Sequence, residues 1–140
     1  MSKVSIHETY DLPQDKFYSV VTDYEKYPEF LSEIKSAKLE KDSPKQVAFT
    51  LEKVKTFEYV LEFKEKAPCE ISWRLVRSNL FKKNSGGWKF KPQGDRILVT
   101  YSLDVEFGFL VPSFIVNGLV KKDLPKVIEV FKERVEALYG

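Results

Sequence analysis

Between Ile34 and Phe107 apolar residues recur at every second position, and after Pro112 they recur at every third or fourth. The first period is that of strands buried on one face, the second that of a helix. VAFTLEKV sets Val47, Phe49 and Leu51 against Ala48, Thr50 and Glu52, and FEYVLEFKEK sets Phe57, Tyr59, Leu61 and Phe63 against Glu58, Val60 and Glu62. CEISWRLVR opposes Ile71, Trp73 and Leu75 to Glu70, Ser72 and Arg74. GWKFK opposes Trp88 and Phe90 to Lys89 and Lys91, and RILVTYSLDVEF carries Ile97, Val99, Tyr101, Leu103, Val105 and Phe107 on one parity. Asp42–Ser43–Pro44, Ala67–Pro68, Asn84–Ser85–Gly86 and Pro92–Gln93–Gly94–Asp95 read as turns between strands. Connections this short join antiparallel neighbours.

Beyond Pro112 one face gathers Val116, Val120, Leu124, Val127, Phe131, Val135 and Leu138, widened by Ile115, Leu119 and Ile128. The segment reads as a long amphipathic helix with a kink at Pro125, which removes one hydrogen bond and crowds the preceding turn. A helix is ~10 Å across, whereas six or seven strands at ~4.8 Å spacing make a sheet about 30 Å wide. One helix cannot cover a flat sheet of that width. The sheet must curl around it, and a curled sheet readily leaves a cavity.

The N-terminal segment supplies what else there is. Val4, Ile6 and Thr9–Tyr10 read as a first strand. Asp11, with Gln14 three positions on, resembles a helix start. Phe17, Val20 and Val21 continue as a helix of about three turns that Asp23 ends. Pro28 suits the first turn of a second short helix beginning near Tyr27. The expected architecture is therefore α+β: a curved antiparallel sheet of about seven strands around a long C-terminal helix, with two short helices after the first strand. At 140 residues one domain spanning 1–140 is expected.

Net charge of +2, with lysines interspersed among glutamates, gives no nucleic-acid footprint, so DNA is not an expected partner. A single cysteine, Cys69, and a single histidine, His7, argue against a disulfide and against any metal site, and no cofactor is implied. The N-terminus lacks the apolar core of a signal peptide, and FGFLVPSFIVNGLV falls short of the ~20 apolar residues of a membrane span. A cytoplasmic location is expected.

Catalysis needs a titratable group on the inward parity with a partner to tune it. Glu58, Glu62, Glu70, Arg74, Lys89 and Asp104 have the outward parity, while Lys53 and Arg77 lie near strand ends. The parity of His7 opposes a catalytic base, and Cys69 reads as a small filler. No catalytic residue is named, and a binding protein is favoured over an enzyme. A tyrosine such as Tyr59 could still donate a proton in a cyclisation.

Two stretches, VVTDYEKYPEFLSEIKSAKL and VPSFIVNGLVKKDLPKVIEVFKERVEALYG, resemble the START-like, helix-grip superfamily, and within it the polyketide cyclase/dehydrase and coenzyme Q-binding START group. The resemblance covers nearly the whole chain. It implies seven antiparallel strands wrapped around the C-terminal helix, with a ligand tunnel between them. It also implies three kinds of function. Some members bind polyisoprenoid quinones as lipid chaperones, others are aromatic polyketide cyclases or dehydratases, and one bacterial branch associates with the ribosome.

Binding or chaperoning of a hydrophobic small molecule (a lipid, polyisoprenoid quinone or aromatic polyketide) is the leading expectation. Cyclase activity and ribosome association are the alternatives. Tyr24, Tyr27 and Phe30 are expected across the mouth of the cavity. Phe49, Phe57, Tyr59, Leu61, Trp73, Trp88, Phe90, Val99, Tyr101 and Leu103 are expected from the strands, and Val116, Val120 and Leu124 from the helix. Phe109, Leu110 and Val111 form a candidate for transient membrane contact.

Overall fold

A computed structural model describes residues 2–139. Strand β1 (Ser2–Tyr10) leads into helix α1 (Gln14–Val21) and a 3-10 helix (Tyr24–Glu29). Six strands follow: β2 (Ile34–Asp42), β3 (Lys45–Lys53), β4 (Lys55–Lys66), β5 (Glu70–Ser78), β6 (Phe81–Gln93) and β7 (Arg96–Phe107). They form one antiparallel sheet in the order β1-β7-β6-β5-β4-β3-β2. The C-terminal helix runs from Ser113 to Tyr139 as α2 (Ser113–Gly118), a π turn (Leu119–Asp123), a 3-10 turn (Leu124–Lys126) and α3 (Val127–Tyr139). The curved sheet around a long terminal helix is the helix-grip α+β arrangement. Inward-facing Val47, Phe49, Leu51, Ile71, Trp88, Val99, Tyr101 and Val105 share one core with Ile128, Phe131 and Val135 of α3.

Several local expectations are corrected. Asn84–Ser85–Gly86 is no turn; it lies inside β6, and the β5–β6 connection is Asn79–Leu80. A glycine is needed there because the sheet curls tightly against it. A Cβ on Gly86 would meet the Ser102 carbonyl oxygen and stand 2.8 Å from Trp73 Cζ2. Strand β2 shows little alternation because register shifts fall between Ile34 and Ser36 and between Leu39 and Lys41. Glu62 is buried on the outer face rather than solvated, held by Gln46 Nε2 at 3.0 Å and Arg74 Nε at 3.0 Å.

Near the N-terminus, α1 has two turns rather than three, and Asp11 does not cap it. Pro13 is the N-cap, with no side-chain bond. Gln14 Nε2 instead reaches across to the Pro68 oxygen at 3.0 Å and the Phe90 oxygen at 3.4 Å, pinning the helix to the sheet. The second short helix begins at Tyr24, and Pro28 falls late in it. The interruption around Pro125 takes the form of the π and 3-10 turns. Proline offers no N–H to the carbonyl one turn back, and the helix widens there. That widening rotates the helix, so Ile115 and Leu119 are buried while Val116 and Val120 are only half-buried. Leu138 is half exposed, off the buried face.

Candidate ligand cavity

Curling has different consequences at the two ends of the sheet. At one end α1 lies against α3, and Phe17 fills the interior with its ring 5.2 Å from Phe90 and 5.9 Å from Trp88. At the other end the 3-10 helix, the loop Leu31–Glu33 and the irregular part of the C-terminal helix roof over a cavity of about 430 Å³. Phe49, Leu61, Phe63, Trp73, Trp88 and Leu103 wall it from the sheet, and Leu119, Leu124, Val127 and Phe131 from the helix. Glu33, Lys122, Asp123 and Lys126 stand at its rim, where Lys53 Nζ binds Asp123 Oδ2 at 2.6 Å. That ion pair ties the π turn to the end of β3.

Ten of the expected site residues line this space: Tyr27, Phe30, Phe49, Tyr59, Leu61, Trp73, Trp88, Tyr101, Leu103 and Leu124. Six do not, for identifiable reasons. Phe90 lies beneath α1, 5.2 Å from Phe17 and 6.2 Å from Tyr18. Its β7 neighbour, Val99, is fully buried beside it. Tyr24 turns its hydroxyl outward to Glu65 Oε2 at 2.7 Å, and its ring stacks on Phe63 at 4.1 Å. Phe57 is buried opposite Leu51 near the hairpin base. Val116 and Val120 are rotated away by the π turn, and Leu119 takes their place.

Asn84 was missed as a wall residue, although it shares the parity of Trp88 and Phe90 and is a polar exception on that face. Phe131 and Phe63 carried the right periodicity without being singled out for the site. Glu33 and the rim lysines had no periodic signal to mark them.

Aromatic contacts make the wall continuous. Tyr27 packs edge-on against Phe131 at 5.2 Å, Phe49 stacks with Tyr59 at 5.2 Å, and Trp88 meets Tyr101 at 4.7 Å. Burial pushes the phenols of Tyr27, Tyr59 and Tyr101 above the usual tyrosine range, so all three stay protonated. Tyr27 donates to the Val21 carbonyl oxygen. The wall thus offers apolar surface and neutral hydroxyls; its carboxylates and amines are confined to the rim.

The fold that frames this cavity is shared with solved structures. A START superfamily protein from Mycobacterium smegmatis aligns with a TM-score of 0.80 at 25% identity, over 97% of this chain and 98% of that one. A protein from Thermus thermophilus aligns with a TM-score of 0.80 at 18% identity, over 99% and 100%. The Zhui aromatase/cyclase from Streptomyces sp. R1128 aligns with a TM-score of 0.67 at 16% identity, over 97% and 87%. No curated protein matches the sequence. Residues 10–132 match the family described as polyketide cyclase/dehydrase and lipid transport, and to that family the chain belongs.

Proposed function

We propose that the protein binds and carries one hydrophobic small molecule in this cavity, without transforming it. The observation that carries the reading is the hollow itself. It is about 430 Å³ of space walled by aromatic and aliphatic side chains, within the ~300–1,000 Å³ range of small-molecule sites. At ~30 Å³ per water-sized group it holds about 14 such groups. A fused-ring compound or a quinone head with a short tail fits, whereas a long polyisoprenoid tail has to leave through the mouth. Burying ~300 Å² of apolar ligand surface stabilises the complex by ~7 kcal/mol. Association costs of at least ~4 kcal/mol offset much of that, so shape alone gives modest affinity. Native mass spectrometry after mild purification tests the reading: one small molecule per chain is expected. A protein that arrives empty and takes up no apolar probe would remove it.

One observation favours a second reading, cyclisation of an aromatic polyketide. Tyr59 and Tyr101 place phenolic protons on the cavity wall. Among the lining residues no imidazole, and away from the rim no carboxylate, accepts a proton in return, so such chemistry would rest on folding the substrate. Turnover of a poly-β-ketone substrate to a defined ring pattern is the test.

Loading at a lipid surface belongs to the same proposal. Phe109 and Leu110, 95% and 83% exposed, project from the β7–α2 loop at the mouth end, and Phe114 on α2 is also exposed. Val54, 83% exposed, projects from the β3–β4 turn at the same end. Val111 instead packs against the core, so it does not join this contact. Lys55, Lys121, Lys122 and Lys126 have no ion-pair partner among the described residues, which suits an anionic bilayer. No helix among the described residues is long and apolar enough to cross a membrane. Flotation with anionic but not zwitterionic liposomes, lost in F109S/L110S, is expected; equal behaviour of both proteins would refute the contact.

A further inference from the structure

Away from the rim, the polar groups that the cavity wall leaves without a partner can all donate a hydrogen bond. Trp73 Nε1 donates to Asn84 Oδ1 at 3.0 Å. An indole N–H can only donate, so this contact settles which way round the amide sits. The Asn84 Nδ2 group, with two N–H donors, is left over with no acceptor among the described residues, on a side chain only 6% exposed. Tyr59 and Tyr101 repeat the pattern. Neither hydroxyl has a hydrogen-bond partner among the described residues, whereas Tyr24 is bonded to Glu65 and Tyr27 to the Val21 carbonyl. The unpartnered Tyr18 hydroxyl is sealed within the structure, but Tyr59, Tyr101 and Asn84 open onto the cavity.

These groups are also neighbours. The Trp73 indole that holds Asn84 is 6.0 Å from the Tyr101 ring, and Tyr59 lines the same cavity. Facing the cavity, these groups are free to bond whatever enters it, and an apolar occupant that displaces water without replacing its hydrogen bonds leaves them unpaired at a cost. Phenols can both donate and accept, but the Asn84 Nδ2 group can only donate. An oxygen with two lone pairs and no proton of its own accepts from the Asn84 amide and from one of the phenols.

We propose that Tyr59, Tyr101 and Asn84 form an acceptor-recognition site, and that the bound molecule is a rigid, mainly apolar compound presenting a carbonyl oxygen to them. The proposal rests on the carrier reading and narrows its ligand class. A fused-ring ketone of three rings matches both the volume and the donors. A simple hydrocarbon of the same shape fills the volume and leaves the donors bare.

Binding of 9-fluorenone and of fluorene, which share one skeleton and differ by that oxygen, is followed by quenching of Trp73 and Trp88 fluorescence. The wild-type protein is expected to bind the ketone about tenfold more tightly, as one or two net hydrogen bonds would give. Y59F/Y101F is expected to bind fluorene still, which shows that it is folded, and to prefer the ketone less than wild type does, since only Asn84 Nδ2 still donates. Equal binding of the two compounds by wild type, or an undiminished preference in Y59F/Y101F, overturns the recognition site while leaving the carrier reading intact. Failure of wild type to bind either compound overturns both.

Discussion

The two ends of the interior are built from the same strands and differ in what closes them. Beneath α1, Phe90, Val99 and Ile97 pack with Phe17 and Val135 into a filled core. A few residues along β7, Tyr101 and Leu103 face a hollow. Inward parity is identical in both places. The decisive difference is a lid whose Phe17 ring plugs the interior at one end, and at the other a lid of short or irregular turns whose rings, Tyr27 and Phe30, pack against Phe131 and line the hollow without filling it. Trp88 sits on the boundary, touching Phe17 on one side and Tyr101 and Phe131 on the other. An apolar stripe on a strand therefore says which way a side chain points, and the covering element decides whether it meets another side chain or a ligand.

The largest expected effect is at the plug. Phe17→Ala removes the ring that fills the closed end and should destabilise the fold by about 3–5 kcal/mol in denaturant unfolding. A smaller effect separates the two ends on one strand. Ile97→Phe and Leu103→Phe add the same atoms on the same face of β7. At the filled end the substitution should cost about 1–3 kcal/mol through overpacking. At the hollow end it should be near neutral for stability and should weaken fluorene binding. Equal costs at the two positions would erase the distinction between them.

Smaller still is the rim. Lys53→Met breaks the 2.6 Å pair with Asp123 that holds the π turn to β3. Both partners are partly exposed, so the stability loss should be within ~1 kcal/mol, while stopped-flow release of bound probe should accelerate. The least effect belongs to the outer face, away from both ends. The Gln46 hydrogen bond first, then the Arg74 guanidinium, holds the Glu62 carboxyl below its ordinary range. A depressed folded value means that this contribution is complete above the unfolded value, near pH ~4.3, and is lost as pH falls through the folded one. Unfolding midpoints measured on acidification should fall less steeply in Gln46→Ala.

Much of this architecture was legible in the chain. Period-two runs located β3, β4, β5 and β7 with the correct inward faces, and the change of period after Pro112 located the closing helix. What escaped did so where local geometry overrides period. The bulges of β2 break its alternation. Asn84–Ser85–Gly86 has turn composition, yet Gly86 serves the close approach of Trp73 and Ser102. The π turn shifts the helix face, so Leu119 lines the cavity in place of Val116 and Val120. For the site, parity found most of the strand-borne wall. It could not separate Phe90 and Val99 from Trp88 and Tyr101, because the plug that distinguishes them comes from a distant helix.

The central claim is that the open end admits a small molecule and the closed end does not. Side-chain NMR of the protein titrated with 9-fluorenone measures this directly. Perturbations concentrated at Trp73, Leu103, Tyr101 and Phe131, with Val99, Ile97 and Val135 unmoved, are the predicted result. Perturbations confined to outer-face residues such as Ala48, Val60 and Arg77, or none at saturating probe, would contradict it.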